Sequence, residues 1–295
     1  MAKIIRLNRR VITIEHPDKL YFPQDHITKY ELIQYYRAVA PTLLPYLHDR
    51  LMTMQRFPQG IGENGFYQKS AGEYFPAWIQ RKRVRQRTGS GSNDYLLCQD
   101  TATLVYLANQ GCITLHRWLS AADALDYPDT IVFDIDPPHH QAVDFPFIAD
   151  IAIRIKEQIE EAGLTAWVMT TGSRGLHVAI PIKPSRRFIA VRAWARHLAE
   201  IIVGTNTQRL TLEARTEKRG KRVLIDVMRN AFGATAVVPY SVRPIPGAPI
   251  ATPIEWDQLG GSKMHSQRYT IKTILDHLNQ YGDAWKGMRR HARSL

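Results

Sequence analysis

Residues 130–228 carry the hydrophobic patterns of six elements in the order β-α-β-β-α-β. The first is the strand-like run TIVFDID, which ends at two consecutive prolines. The later elements are a helix over 147–161, strands over 164–170 and 176–182, a helix over 186–203 with Ser185 as its candidate cap, and a strand over 222–228. This order is typical of a ferredoxin-like unit, in which the first strand lies between the third and the fourth and both helices cover one face.

Polar side chains interrupt three of these strands. Because side chains alternate between the faces of a strand, Asp134 and Asp136 share one face, opposite the apolar residues of their strand. The same alternation separates His177 and Asp226 from the apolar residues of theirs. Neighbouring carboxylates repel and are costly to bury, so we expect these residues to converge around a hard divalent cation such as Mg²⁺ or Mn²⁺. Taken alone, the Asp-x-Asp pattern favours a solvated strand end with helix-capping aspartates.

The charge of the chain indicates its partner. It has 39 Lys and Arg residues against 27 Asp and Glu, a net charge of +12. Nucleic acid is favoured over a membrane, since no apolar run is long enough to span a bilayer, although a basic surface that serves only solubility is the alternative. Cys98 and Cys112 form no C-x-x-C pattern, so we expect free thiols rather than a zinc site. With no signal-peptide pattern, we expect a cytoplasmic, nucleoid-associated protein.

The first 125 residues show helix and strand patterns of their own, and we expect this half to share one interface with the rest of the chain and to fold with it as one unit. Thr28 and Glu31 form a capping-box pattern for a helix toward Tyr46, which Pro41 is expected to kink or split, and Asp100 is a candidate cap for a second helix. Strands are predicted at 11–14, 51–57, 66–69 and 113–115.

A run dense in arginine and lysine, RKRVRQR, begins at residue 81. One interpretation is a charged hairpin loop in water. The other is a flexible loop that grips a phosphate backbone through Arg81, Lys82, Arg83 and Arg85.

Nine segments stand in collinear order along the chain: HPDKLYFP, ITK, RFPQG, GFYQK, HRW, FDIDPP, TTGSRGLHVAIPI, IDVMRN and TAVVPYSVRP. Together they resemble the polymerase domain of bacterial ligase D, which belongs to the archaeo-eukaryotic primase superfamily and works in nonhomologous end joining. The resemblance implies one α+β primase-polymerase domain over residues 1–295. In it, an N-terminal α/β module (1–125) packs on an RRM-like, ferredoxin-like catalytic module (126–295), with the active site between them.

The resemblance also implies a chemistry. Asp134, Asp136 and Asp226 match the carboxylates that hold two divalent ions, with Mn²⁺ favoured over Mg²⁺, at which a primer 3′ hydroxyl attacks an NTP or dNTP. Ribonucleotides are the expected preference. The residues that match nucleotide contacts are Arg56, His116, Thr171, Gly172, Ser173, Arg174, Gly175, His177, Arg229 and Arg243. Glycines in the turn let backbone N–H groups approach phosphate oxygens.

Four further residues match DNA contacts. Lys19 and Lys29 match lysines that hold the 5′ phosphate at a gap or break, and Phe66 and Tyr67 match an aromatic pair that stacks where paired DNA meets unpaired DNA. Taken alone, the lysines are ordinary surface residues and the aromatic residues are ordinary core residues.

The sequence departs from the family pattern at several positions. Thr171 stands where relatives commonly have Ser, and Arg174 where many have Lys; both substitutions conserve phosphate contact. Gln55 stands where some relatives have Lys and His16 where some have Asn, which leaves details of nucleotide and end recognition open.

The expected function is DNA-dependent nucleotidyl transfer that fills gaps at 5′-phosphorylated breaks. Its expected partners are DNA, the end-binding protein Ku and a separate DNA ligase, because no K-x-D-G adenylation motif occurs in the chain. One alternative keeps the chemistry but assigns it to excision-repair gap filling or priming. Another is a non-catalytic RRM-like binding module, which is disfavoured because acids on the open face would repel phosphates without a metal.

Overall fold

The structure, a computed structural model, describes residues 1–87, 90–138 and 143–295. The strands are β1 (Lys3–Leu7), β2 (Arg10–Ile14), β3 (Leu20–Phe22), β4 (Ile27–Thr28), β5 (Met52–Arg56), β6 (Phe66–Gln68), β7 (Arg81–Arg85), β8 (Ser92–Leu96), β9 (Cys112–Trp118), β10 (Thr130–Asp136), β11 (Trp167–Thr170), β12 (Leu176–Pro181), β13 (Leu210–Thr211), β14 (Val223–Asp226), β15 (Thr235–Val237) and β16 (Thr252–Ile254). The α-helices are α1 (Lys29–Leu47), α2 (Thr101–Asn109), α3 (Phe145–Glu161), α4 (Phe188–Gly204), α5 (Thr216–Arg219) and α6 (Ile274–Tyr281). Short 3₁₀ helices lie at Pro23–Asp25, Met228–Asn230, Trp256–Gly260 and Met288–His291.

The chain divides into two compact units. Unit 1 comprises Met1–Trp118, Val237–Ile250 and Tyr269–Gln280. Unit 2 comprises Leu119–Ala236, Ala251–Arg268 and Tyr281–Leu295. Each unit is therefore assembled from three segments, whereas the modules predicted from the sequence meet at a single point near residue 125.

Unit 2 is built on a six-stranded sheet with the order β13-β14-β10-β12-β11-β16. The strand β10 lies between β12 and β14 and is antiparallel to both, which confirms the strand order predicted from the sequence. Ile131, Phe133 and Ile135 of β10 are fully buried, as expected of a central strand. This core fixes β10 and so fixes the acidic residues at its end.

Helices α3 and α4 pack on β10 and on each other. The buried residues of α3 include isoleucines at helical spacing, namely Ile148, Ile151, Ile155 and Ile159, which give the helix one apolar face. The prediction that Ser185 caps α4 is wrong, because the N-cap residue is Arg187 and no side chain caps the helix. Ser185 precedes the cap by two residues, and its hydroxyl lies 3.5 Å from the carbonyl oxygen of Lys183.

Unit 1 contains the strands β9, β5 and β6, which pair in that order, and the packed helices α1 and α2. The predicted capping box of α1 is confirmed: Glu31 N donates to Thr28 Oγ1 at 3.2 Å, and Thr28 N donates to Glu31 Oε2 at 2.7 Å. The helix is not split at Pro41, because apolar residues buried on both sides of the proline hold it as one element.

No helix among residues 1–87, 90–138 and 143–295 is long and apolar enough to cross a membrane.

The basic run forms a strand rather than a loop, so the loop prediction is wrong for Arg81–Arg85. This strand, β7, pairs antiparallel with β8, and its Val84 is buried. Burial of one apolar residue and pairing along the whole strand outweigh the repulsion of the charges. Residues 88 and 89, which follow this basic run, lie outside the described residues.

Candidate active site

The predicted acidic residues of unit 2 come together at one end of β10. Asp134 is the register partner of His177 on β12 and of Asp226 on β14. Directly opposed residues of antiparallel strands have Cα atoms about 4.5–5.5 Å apart. Asp136 follows two residues later on the same face of β10. The strand parity predicted from the sequence therefore brings all four side chains to one place.

Asp134 is held from two sides. Its Oδ1 lies 3.4 Å from His177 Nε2, and its Oδ2 accepts a hydrogen bond from Arg229 Nε at 3.2 Å. The same Arg229 Nε lies 3.7 Å from Asp226 Oδ2, so one guanidinium bridges the two opposed carboxylates.

Asp136 has two arginine partners of its own. Arg174 Nη2 donates to Oδ1 at 2.9 Å, and Arg219 Nη1 donates to Oδ2 at 3.0 Å. Arg219 is buried and also donates through Nη2 to the carbonyl oxygen of Pro137 at 2.9 Å. The end of β10 is therefore fixed to the short helix α5, which precedes β14.

The opposed carboxylates differ in their electrostatics. Burial would raise the pKa of Asp134, but His177 and Arg229 outweigh it and hold that pKa well below its ordinary value. Burial raises the pKa of Asp226, and the charges of Asp134 and Asp136 raise it further against the lowering by the Met228 N–H and Arg229. The pKa values of the two opposed carboxylates are thus shifted in opposite directions.

The donor set has the chemistry of a hard-cation site, since three carboxylates offer only oxygen ligands and like charges that a divalent ion would offset. Within the part of the chain that the structure describes, no group of three or more His, Cys, Asp or Glu residues is arranged to hold a metal ion. The guanidinium groups of Arg174, Arg219 and Arg229 supply the positive charge in this arrangement. The residues therefore fit a metal by chemistry, while the positions of their side chains are those of ion pairs with arginine.

The glycine turn between β11 and β12 packs directly on β10. A Cβ atom at Gly175 would lie 1.8 Å from the carbonyl oxygen of Ile135, so only glycine permits this approach. Gly172 adopts a left-handed conformation with φ of 62°. The Thr171 hydroxyl accepts from the backbone N–H groups of Ser173 and Gly175, both at 3.2 Å, and thereby closes the turn.

In unit 1, the predicted lysine pair lies side by side. The backbone N–H of Lys29 donates to the carbonyl oxygen of Lys19 at 2.8 Å. Lys19 Nζ donates to Pro58 O at 3.2 Å, and Lys29 Nζ donates to Glu15 O at 2.9 Å. Burial, followed by the charge of Lys19, lowers the pKa of Lys29, whose residue exposure is only 9%. Lys29 is therefore not the ordinary surface residue that the sequence alone suggests.

The aromatic pair of unit 1 is exposed. Phe66 and Tyr67 are 47% and 60% exposed, so the interpretation as core residues is wrong. Tyr67 meets the ring of His116 edge-on at a centroid distance of 5.7 Å, and His116 itself is buried. An exposed ring beside a buried imidazole is suited to stacking with a base.

Two further arginines predicted to contact nucleotide also lie in unit 1. Arg56 is buried and donates to Gln110 O at 2.9 Å and to Gln68 Oε1 at 2.7 Å. Arg243 is half-buried, and its backbone N–H donates to Pro249 O at 2.8 Å. Their contact with a nucleotide stays a prediction.

The family model "LigD, primase-polymerase domain" matches residues 28–285. The chain belongs to this family. Members of the LigD primase-polymerase family are DNA-directed nucleotidyltransferases whose nucleotide transfer depends on metal, so the predicted family and enzyme class are confirmed.

Curated relatives agree with this assignment. The chain is 28% identical over 289 residues to the "Bifunctional non-homologous end joining protein LigD" of Bacillus subtilis and covers 45% of that protein. It is 27% identical over 275 residues to the "Multifunctional non-homologous end joining protein LigD" of Mycolicibacterium smegmatis and covers 35% of it. These alignments include 95% and 92% of the present chain. The chain thus spans less than half the length of these relatives.

A solved structure confirms the fold. The polymerase domain of Mycobacterium tuberculosis ligase D, in complex with DNA, superposes with a TM-score of 0.87 at 22% identity. The match covers 95% of this chain and 99% of that one. The predicted α+β fold of the LigD polymerase domain is therefore correct.

Sequence reasoning missed two residues that help to position β10 and the acidic residues at its end. Arg219 ends the four-residue helix α5 in the basic segment 215–221, where no strand pattern or motif marks it. Asn230 is fully buried, accepts from Val132 N at 2.9 Å and donates to Val132 O at 2.8 Å, so its amide acts as an additional strand partner for β10. Asn230 stands in the segment IDVMRN, which carried the family resemblance but not this role.

Proposed function

We propose that this chain extends DNA 3′ ends at breaks that carry a 5′ phosphate, filling short gaps in nonhomologous end joining. The observation that supports the proposal is the register of β10, with Asp134 opposite both His177 and Asp226. Carboxylates crowded in this way are typical of sites that handle cations and triphosphates.

Asp134, Asp136 and Asp226 are the proposed ligands of two divalent ions, with Mn²⁺ favoured over Mg²⁺. When bound, such ions would activate the 3′ hydroxyl and stabilise the triphosphate and its leaving pyrophosphate. The carboxylates and the imidazole that would meet the substrate stand on β10, β12 and β14. Because backbone hydrogen bonds tie each of these strands to its neighbour, the relative positions of these side chains are fixed before the substrate binds.

The proposed triphosphate contacts in unit 2 are the turn residues 171–175, His177 and Arg229. The side chains of Arg174 and Arg229 are 34% and 43% exposed while they pair with carboxylates, so solvent and a polyphosphate can reach them. Guanidinium groups match phosphate oxygens as well as carboxylates. Proposed contacts from unit 1 are Arg56, His116 and Arg243, and the proposed substrates are NTPs in preference to dNTPs.

DNA recognition is assigned to unit 1. Lys19 and Lys29 bind the terminal 5′ phosphate, and Phe66 with Tyr67 stacks on the bases at the gap. The basic residues of β7, namely Arg81, Lys82, Arg83 and Arg85, contact the phosphate backbone. Ku is the proposed recruiting partner, and sealing of the nick requires a DNA ligase site outside residues 1–295.

Primer extension tests the chemistry. With Mn²⁺, an NTP and a gapped duplex bearing a 5′ phosphate, the chain should add nucleotides, and Asp134→Asn or Asp226→Asn should lower the rate by about 10³-fold, the size of several kcal/mol of lost transition-state stabilisation. Asp150→Asn is the matched control, since Asp150 is a surface residue of α3 that pairs with Arg154 at 2.9 Å. Absence of extension by the wild-type chain with retained DNA binding would favour the non-catalytic binding module.

Recruitment tests the pathway. Ku should stimulate extension of mismatched overhangs if the chain acts in end joining. Extension that is efficient on gapped duplexes but indifferent to Ku would assign the same chemistry to excision repair or priming.

A further inference from the structure

A segment of unit 2 outside the acidic cluster holds the glycine turn from its outer side. Residues 261–268, here called the strap, follow the 3₁₀ helix Trp256–Gly260. The hydroxyl of Ser266 donates to the carbonyl oxygen of Arg174 at 2.7 Å, and Gln267 Nε2 donates to the carbonyl oxygen of Ser173 at 2.8 Å. Two consecutive carbonyls of the turn thus accept hydrogen bonds from two consecutive side chains of the strap.

The inner side of the turn is already fixed by a close backbone contact and by the side chain of Thr171. Gly175 packs on the Ile135 carbonyl, and the Thr171 hydroxyl closes the turn. The outer side is different, because Ser173, Arg174 and the strap border a cavity of about 360 Å³. Side-chain packing cannot restrain the turn across an open cavity, so the hydrogen bonds of the strap restrain it there.

These bonds act on the residue that faces Asp136. The guanidinium of Arg174 donates to Asp136 Oδ1 at 2.9 Å, and the peptide that carries Arg174 is the one that Ser266 holds. Ser266 is buried, with 6% of its surface exposed, so its hydroxyl has little water to bond with in place of that carbonyl. A donor that must meet a triphosphate works best when its backbone is fixed beforehand.

We propose that Ser266 and Gln267 are positioning residues for the incoming nucleoside triphosphate, which they serve by fixing the peptides of Ser173 and Arg174. The inference rests on the proposed function, in which the turn contacts the triphosphate. Neither residue touches the reacting atoms. Their role is to keep the Arg174 guanidinium in the place where it binds phosphate.

Steady-state extension of a gapped duplex by Ser266→Ala and Gln267→Ala tests the role. Each variant should raise the KM for the NTP by about 3- to 10-fold, the loss expected of one hydrogen bond, and leave kcat and the Kd for DNA within about twofold. Ser266→Thr keeps the hydroxyl and should restore the KM. Ser262→Ala is the matched control, because Ser262 is an exposed serine of the same strap.

A double-mutant cycle identifies the route of the effect. If Ser266 acts through Arg174, then Ser266→Ala should change the KM by less than about twofold in an Arg174→Ala background. A full effect in that background would overturn the proposal, as would an unchanged KM in both single variants of an active enzyme. An inactive wild-type chain would instead overturn the proposed function on which the inference rests.

Discussion

Gly175 lies where the backbone of the glycine turn meets β10. Because an added Cβ would fall 1.8 Å from the Ile135 carbonyl oxygen, Gly175→Ala should push the turn off the strand and lower the free energy of unfolding by about 2–3 kcal/mol. Urea denaturation measures this loss. Gly204→Ala at the end of α4 is the control, because a Cβ atom there would meet no atom within 4 Å. Its free energy of unfolding should rise by up to about 1 kcal/mol. Equal stability of the two variants would contradict the close approach.

The same residue scale shows what sequence patterns can reveal. Asp134, Asp136, His177 and Asp226 were predictable as a group, because alternation along a strand fixes the face on which each side chain lies. Arg219 was not predictable, since it reaches Asp136 from the short helix α5, 83 residues away, and no strand alternation marks it in the sequence. Residues that hold a site from outside its strands are therefore not revealed by strand alternation.

The helix α2 shows how one cap contributes to an element. Asp100 Oδ1 accepts from Thr103 N at 2.7 Å, and its other oxygen pairs with Arg10. Burial would raise the pKa of Asp100, but the bonds from Thr103 and the charge of Arg10 outweigh it and lower that pKa. Its contribution to stability is therefore complete above the unfolded pKa of about 3.9 and is lost as the pH falls through the lower folded value.

Asp100→Ala should accordingly lower the free energy of unfolding by about 1 kcal/mol at neutral pH and by less in acid. Urea denaturation at pH 7 and pH 3 measures both values, with the exposed Asp123→Ala as control. A loss of the same size at both pH values would show that the charge of the cap is irrelevant to α2.

The arginines of β7 differ in whether a carboxylate already pairs with them. Arg83 forms a bidentate pair with Asp94, at 2.8 and 2.9 Å, whereas Arg85 is exposed near the end of the strand. Arg85→Gln should therefore reduce the slope of log Kd for duplex DNA against log salt concentration by about 1, and Arg83→Gln should reduce it by less. Asp94→Asn should tighten binding by releasing Arg83. Fluorescence anisotropy across a salt series checks all three, and equal slopes for both arginine variants would contradict the pairing.

Local signals explain which elements were predictable. The caps of α1 and α2 stand within three residues of the backbone groups that they bind, so the sequence alone identified both helices. The pairing of β7 with β8 depends instead on a partner about ten residues away, and charge density in RKRVRQR suggested a loop. Pairing between strands decides such segments, and composition does not.

At the scale of the whole molecule, nine collinear segments were enough to predict the family and its fold. They did not predict that residues 237–250 return to unit 1. This return depends on long-range bonds, such as Tyr35 Oη to Tyr240 O at 2.7 Å and Thr114 Oγ1 to Val242 O at 2.7 Å. Every residue type has a backbone carbonyl, so the identity of the residues that accept these hydrogen bonds gives no signal in the sequence.

The net charge of +12 should attract any DNA, so recognition of a break needs a local feature. A terminal 5′ phosphate carries more charge than an internal phosphodiester, and the adjacent lysines Lys19 and Lys29 are suited to that difference. We expect the wild-type chain to extend a gapped duplex with a 5′ phosphate about tenfold faster than one with a 5′ hydroxyl, the value of one charge-assisted contact of roughly 1.4 kcal/mol.

Lys19→Gln combined with Lys29→Gln should bring this ratio close to one while most of the salt-dependent affinity for DNA remains, because the other basic residues still supply it. Glutamine keeps an N–H donor for the carbonyls of Pro58 and Glu15, so the fold should tolerate both changes. Lys183→Gln, an exposed lysine of unit 2, is the control and should leave the ratio unchanged. If the double variant still distinguished the two ends, recognition of the break would have to lie elsewhere in the chain, and the lysine pair would contribute only to general attraction.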